Sequence, residues 1–500
     1  MDAENCLREA IRTQTIPLHP LDMLAGFINI PFIFYYGNTL DSDAFMPTRV
    51  MRDSLFMTLV EFPILVGRLK VESSGKTVVV VDENNLNMPE LKETQSDIHF
   101  DDLKSVGFSW SAMPQTTVTV RVFAAAGDQG CIKLVNVHIV RLKDNSGVVL
   151  FVNVPHYVVD GIGYCAFINQ WAKNSTQLQN GIPNSSVHAK PFDYDRQAVS
   201  RCLSSSRSTP DDAAYPMYTT ESYLARWLAW LTPESRGSVL NAFVALDSIE
   251  AHVFHIRAAS INSLHKSLCA EITGGLRISD NDIITALLTM VLAQGEKQVE
   301  TNSSIGGLSD WHNIKSAVVC AAQSVFKRHA YSWATTVTVD IRGRVDTASA
   351  TNYTGNMVMG TVVSSPICLV ETEITGESLT HVATGIRRAV SRTDGPYIKK
   401  LIDVISKETS SYAQALGIVS MGSKILVITN QSRFPLYTVD FGSGIPAWVS
   451  PIPKFYNNFA SVLPRHPSAD GYHIYISTRS ATMQAVLNNT FWQTMARLVY

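Results

Sequence analysis

The chain has 500 residues, 46% of them hydrophobic and 17% charged, with 41 Lys and Arg against 43 Asp and Glu for a formal net charge of −2. That much apolar material excludes a disordered chain and allows two or three domains. The scattered, balanced charge gives no footprint for nucleic acid or an anionic membrane surface. Seven cysteines lie far apart with no CxxC pair, which points to free thiols in a reducing compartment.

The N-terminal "MDAENCLREAIRTQT" is polar and carries acids, so it does not read as a secretory signal. "MLAGFINIPFIFYYG" is the longest apolar stretch, but Pro31 interrupts it and it is too short to span a bilayer. A cytoplasmic protein without a membrane span is the expectation. Residues 54–70 begin with helix-spaced apolar residues and end in a turn at Gly67. "KTVVVVDEN" (76–84), 116–126 and 131–142 read as strands. "GVVLFVNVPH" (147–156) is an almost unbroken apolar run, the pattern of a strand buried on both faces. "DGIGYCAFINQWAKN" follows, with Ile162, Cys165, Ala166, Ile168 and Trp171 at helical spacing.

From about 174 to 215 the chain turns rich in Ser, Asn and Pro, which reads as a long crossover. Beyond it, 251–260 reads as a strand, and 261–272 and 279–294 as helices, the second capped by Ser279 or Asp280. Residues 333–345 and 423–431 read as strands. Strands come in groups separated by helices without strict alternation. The expected class is therefore mixed α/β (α+β with mixed sheets) in two lobes, not a doubly wound parallel sheet. The division expected is 1–200, a crossover at 201–250, and 251–500.

Two stretches share a His-x-x-x-Asp-Gly frame: "HYVVDG" at 156–161 and "HPSADG" at 466–471. A neutral imidazole accepts a proton near neutral pH, and as a general base it contributes about 10²–10⁴-fold. His156 ends a rigid strand and opens onto a turn, with Gly161 clearing space for a substrate or a neighbouring backbone. Asp160 reads as structural, because a buried carboxylate needs a partner, usually an arginine. His466 lies among Pro464, Pro467, Ser468 and Gly471, so it reads as an exposed hairpin residue. "HVFH" (252–255) reads as part of a strand with no acidic or cysteine partner expected nearby, so no metal site is expected. HExxH, Walker A and GxSxG motifs are absent.

Several stretches in order resemble the BAHD family of acyl-CoA-dependent acyltransferases, which carries HxxxDG centrally and DFGWG near its C-terminus. Here these are "HYVVDG" and "DFGSGIP" (440–446). "SLFMTLVEFPILVGRLK", "FDYDR" (192–196), "ISDNDIITALL" (278–288), "VDIRGRV" with "NYTGN" (352–356), and "TNQSRFPLYTVDFGSG" (429–444) resemble the intervening family blocks in the same order.

The resemblance implies two chloramphenicol-acetyltransferase-like domains with a channel between them, and acyl-CoA as co-substrate with no bound cofactor. It implies His156 as general base on a small-molecule hydroxyl or amine, and Thr429 in the region of the oxyanion donor. It also implies Arg342, or else Arg344, as the partner of Asp160. Asp440, Gly442 and Gly444 would form a structural turn away from the chemistry. A short acyl group, a secondary-metabolite acceptor, a monomer and a fungal-type member are the finer expectations. Gln431 and Ser443 stand where the family usually has tryptophan, a departure that bears on the pocket's shape at the first position and on local packing alone at the second. Two alternatives stay open. One is a condensation-type enzyme using a carrier-protein thioester, although Pro155 stands where those enzymes have a second histidine. The other is a catalytically silent binding protein of the same fold.

Overall fold

The computed structural model describes residues 3–25, 28–74, 76–113, 121–126, 130–182, 192–203, 231–272, 275–305, 332–345, 352–407 and 424–500. Among these the strands are, in chain order, β1 (Gln14–Pro17), β2 (Asn29–Gly37), β3 (Arg68–Val71), β4 (Thr77–Val81), β5 (Glu90–Gln95), β6 (Asn136–Arg141), β7 (Gly147–Pro155), β8 (Ile249–Arg257), β9 (Ser332–Asp340), β10 (Val358–Pro366), β11 (Ile425–Asn430), β12 (Trp448–Ser450), β13 (Phe459–Val462), β14 (Gly471–Arg479) and β15 (Ala496–Leu498). They form a small sheet β1-β4-β3, a five-stranded sheet β12-β2-β7-β6-β5, and a seven-stranded sheet β10-β9-β11-β13-β14-β8-β15. Both larger sheets are mixed. β5 and β6 run parallel, as do β11 and each of its neighbours β9 and β13.

β7 lies between β2 and β6, and all nine of its residues are buried. Its unbroken apolar run is thus explained by cover on both faces. β2 continues through Pro31, which pairs with Asn153 of β7 but lies beyond the β12 pairing at residues 33–35. There the missing N–H breaks no ladder on the β12 side. Helices α1 (Thr48–Glu61) and α2 (Gly161–Gln179) pack together against this sheet, with Leu55, Leu59, Phe167 and Trp171 fully buried in the first core.

The expected crossover is more structured than its composition suggests. Asn174–Gln179 belongs to α2, Gln197–Leu203 is helical, and α3 spans Pro233–Leu246. Leu240 and Val244 of α3 pack into the first core. Residues 183–191 and 204–230 lie outside the described residues. Of the strand expected at 116–126, residues 116–120 also lie outside; 121–126 form no strand, only an isolated bridge between Ile28 and Phe123.

The second core lies on the seven-stranded sheet under α4 (Asp280–Ile305), where Ile283, Leu287 and Val291 meet Trp333, Leu426 and Ala460. Ser279 starts α4: its hydroxyl accepts from the Asp282 N–H at 3.4 Å, and Asp282 accepts from the Ser279 N–H at 2.6 Å. The halves interlock. β12 pairs with β2, and Phe441 sits in the first core against Trp171.

Candidate active site

β7 ends at Pro155 and α2 begins at Gly161, so His156 lies on the turn between them. Its N–H donates to the Ile28 carbonyl at 2.8 Å. Asp160 caps α2, its Oδ1 accepting from the N–H groups of Ile162 at 3.1 Å and Gly163 at 2.9 Å. Oδ2 accepts from Arg342 Nη1 at 2.7 Å and from the Met357 N–H at 3.0 Å. All four bonds go to groups other than the imidazole, and the carboxylate is fully buried. Arg342 also donates to the carbonyls of Tyr353 at 3.1 Å and Gly355 at 3.0 Å. Arg344 instead reaches the carbonyls of Val390 and Thr393.

A second buried group holds the ring itself. His156 Nδ1 lies 2.7 Å from Asn356 Oδ1, and Asn356 Nδ2 donates to the His156 carbonyl at 2.7 Å and to Asp22 Oδ1 at 2.8 Å. Asp22 Oδ2 accepts from Arg196 Nε at 3.1 Å and from the His19 N–H at 2.8 Å. Arg196 also donates to the Val158 carbonyl at 2.6 Å. Burial pushes the His156 pKa below its ordinary value, opposed by the charges of Asp160 and Asp22 and by the Asn356 bond. The imidazole is therefore neutral, and able to accept a proton, at neutral pH. Asp22, Asn356 and Arg196 carried no assigned role in the sequence reading. "FDYDR" and "NYTGN" mark two of the segments but do not say that they meet.

His156 lines a cavity of about 980 Å³ between the two larger sheets. Its wall is largely apolar, with Phe32, Phe192, Phe434, Ile452, Phe455 and Phe459. Thr429 on β11 also lines it, in register with Ser461 of β13. Gly161 lines it too, but the space beside Gly161 is taken by a side chain rather than by substrate or backbone: a Cβ there would meet Phe434 Cε2 at 2.6 Å. Gln431 is half-buried in the same wall.

The other sequence candidates lie elsewhere. His466 is half-buried rather than exposed, with its ring 4.9 Å from that of Tyr437 and 5.9 Å from Trp448, and it does not line this cavity. Contrary to the expectation of no acidic partner, His252 pairs with Glu250 of its own strand at 2.7 Å; the His255 ring lies tilted 5.1 Å from that of His473, and among the described residues no cluster is arranged to hold a metal. Asp440 Oδ1 accepts from the N–H groups of Gly442, Ser443 and Gly444 at 2.8, 3.1 and 2.9 Å. Both glycines have positive φ, 92° and 101°, a region open to glycine. Ser443 accepts from the Met46 N–H at 3.3 Å.

The Transferase family profile matches residues 8–193 and 316–491. The chain belongs to this family, the BAHD acyltransferases. Shikimate O-hydroxycinnamoyltransferase of Nicotiana tabacum is 23% identical over 451 residues, 90% of this chain and 89% of that one. Putrescine hydroxycinnamoyltransferase 1 of Oryza sativa subsp. japonica is 23% identical over 475 residues, covering 93% and 91%. Among solved structures, F. graminearum TRI101 complexed with coenzyme A and T-2 mycotoxin superposes with a TM-score of 0.70 at 15% identity, covering 97% of this chain and 100% of that one. The two-domain BAHD fold is therefore shared. The enzyme is an acyltransferase that takes its acyl group from acyl-CoA and passes it to a small-molecule hydroxyl or amine. No helix among the described residues is long and apolar enough to cross a membrane.

Proposed function

We propose that His156 is the general base of this transfer, acting through Nε2 on an acceptor held in the cavity of about 980 Å³. The observation that carries the reading is the placement of one neutral imidazole on the cavity wall with its Nδ1 edge tied to Asn356. His156 takes the proton of the acceptor hydroxyl or amine as the acceptor attacks the thioester carbonyl. The C–O or C–N bond forms, and the negative charge moves to the carbonyl oxygen beside Thr429. The tetrahedral intermediate then collapses, the C–S bond breaks, and the leaving thiolate receives the proton from His156. Much of the rate gain is positioning of two substrates at one ring, with charge stabilisation at the oxyanion.

Asp160, Gly161 and Arg342 serve this reading as supports of the turn, and Asp440, Gly442 and Gly444 as a distant structural loop. A division into residues 1–200 and 251–500, each with one of the larger sheets, belongs to the same proposal, with β12 and the Asp440 loop as exchanged segments. The proposed acceptor is an apolar secondary metabolite, in keeping with the largely apolar wall, and the proposed acyl group is acetyl or another short acyl. A hydroxycinnamoyl group is the second reading, favoured by the phenylalanines in the wall and by the names of the plant relatives. A cytoplasmic, monomeric enzyme is proposed with it, supported by the free state of the six described cysteines as regards compartment.

The test is free-thiol release from acetyl-, hexanoyl- and 4-coumaroyl-CoA against a panel of alcohols and amines. His156→Ala is expected to lower transfer by about 10²–10⁴-fold, while His466→Ala leaves it intact. Full activity in His156→Ala would remove the proposed base. Preference for 4-coumaroyl-CoA would replace the short acyl group.

A further inference from the structure

We propose that Asp22 sets the tautomer of His156 from two contacts away, using Asn356 as a positioning relay that keeps Nε2 unprotonated toward the cavity. The inference rests on His156 being the base and adds what makes it one. It follows from which groups can only accept.

An ionised carboxylate and a backbone carbonyl have no hydrogen to give. One end of the Asn356 amide lies 2.8 Å from Asp22 Oδ1 and 2.7 Å from the His156 carbonyl oxygen. That end must be the NH₂, and its two hydrogens are matched by those two acceptors. The other end is then the oxygen, and it is the atom 2.7 Å from His156 Nδ1. An amide oxygen only accepts, so Nδ1 carries the proton. A neutral imidazole has one N–H, which leaves the Nε2 lone pair free. The chain of acceptors and donors has a single consistent assignment.

Asp22 is the fixed point. Its Oδ2 accepts from Arg196 Nε and the His19 N–H, and its Oδ1 from both the side chain and the backbone N–H of Asn356. Asp22 and Asn356 are fully buried and Arg196 nearly so, so water does not offer substitute partners. Arg196 Nε stands 3.1 Å from Asp22 Oδ2 as its ion-pair partner. In Asp22→Asn the two donors Arg196 Nε and His19 N hold the amide oxygen on their side. An NH₂ then faces Asn356 where Oδ1 accepted. If the Asn356 amide turns over, its NH₂ faces Nδ1 and the ring takes the other tautomer; if it keeps its orientation, it has lost the bond to residue 22 that fixed it, and the Nδ1 acceptor is no longer held.

The experiment uses the full chain labelled with ¹⁵N on histidine, with His156→Gln identifying the His156 resonances. At pH 8 the wild type is expected to show a protonated Nδ1 and an unprotonated Nε2 at His156. Asp22→Asn is expected to show the inverted or averaged pattern. With the acyl-CoA and acceptor pair found active in the thiol-release panel, its kcat is expected to fall about 10²–10⁴-fold, the range a general base contributes. Its KM for acyl-CoA is expected to stay within about threefold, because no cavity contact is removed. Thermal melting and coenzyme A binding report whether each variant is folded. If Asp22→Asn is not, Asn356→Ala, which leaves the Asp22–Arg196 pair in place, is expected to lose the Nδ1-protonated pattern and most of kcat. A wild-type enzyme protonated at Nε2 overturns the proposal. So does a folded Asp22→Asn or Asn356→Ala enzyme with the wild-type pattern and kcat. Full activity in His156→Ala overturns the base assignment alone, and the wild-type ¹⁵N pattern still decides the relay.

Discussion

Gly163→Ala is a one-carbon change in the first turn of α2, and it is expected to damage both the stability and the chemistry of the enzyme. A Cβ at this position would stand 2.9 Å from the Thr354 carbonyl carbon, closer still to its oxygen, and 3.1 Å from the Val159 Cβ. Ordinary contacts lie at about 3.5–4.0 Å, and the carbonyl oxygen is the nearest atom, so the Thr354 backbone must retreat by more than about 1 Å. It cannot retreat freely, because on its other side the Thr354 N–H is bonded to the Asp193 carbonyl at 2.8 Å and its hydroxyl to the same oxygen at 3.2 Å. The segment that would move carries Asn356, which holds the imidazole, and Met357, whose N–H holds Asp160. Overpacking of this kind costs about 1–3 kcal/mol, and a misplacement near 1 Å in a catalytic group costs about 10²-fold in rate. The expected result is a lower melting temperature and a kcat reduced about 10–100-fold. Gly161→Ala is the control: its Cβ meets the Phe434 ring, a side chain at the edge of the cavity that can swing aside, so the effect falls on KM more than on kcat. A Gly163→Ala enzyme with wild-type melting and kcat within about threefold would refute the reasoning that this contact registers the site.

Arg342→Ala leaves the fully buried Asp160 carboxylate without its 2.7 Å partner. A loss of about 3–5 kcal/mol is expected in denaturant unfolding, against about 1 kcal/mol for Arg344→Ala, which touches only carbonyls. Asp440→Ala removes one acceptor shared by three N–H groups; it should lower the melting temperature without changing kcat, because the loop does not line the cavity. The pH dependence has a defined sign. The His156 pKa is lowered in the folded enzyme, so the acid limb of kcat/KM lies below the ordinary histidine value near 6.5, and activity is full above it. Burial likewise lowers His19 and His473 to about 4. Because the unfolded chain then binds more protons, stability is fully present above about pH 6.5 and is lost as pH falls toward 4. The melting temperature should drop over that window, and His473→Gln should flatten the drop.

What could be read from the chain depended on how local its cause was. The nine-residue run of β7 showed its burial directly, since cover on two faces demands apolar residues at every position. The strand-to-helix turn at His156 followed from the change of period after it. The family resemblance, not any local pattern, points to Arg342 or Arg344 as the partner of Asp160, and the bond observed is to Arg342. α3 was lost in a crossover expected from composition. Its stability comes from tertiary contacts rather than local propensity, with Leu240 and Val244 packed into the first core and Asn241 bonded to both the N–H and the carbonyl of Phe123. The bond between Asp22 and Asn356 spans 334 residues, and no spacing rule reaches that far. This also says what kind of object the site is. Asp22 and Arg196 come from the first half of the chain, whereas Asn356, Met357 and Arg342 come from the second. All five bond to the 156–160 turn or to one another. Neither half alone supplies the full set of contacts that holds the imidazole, so the direction of the base depends on both.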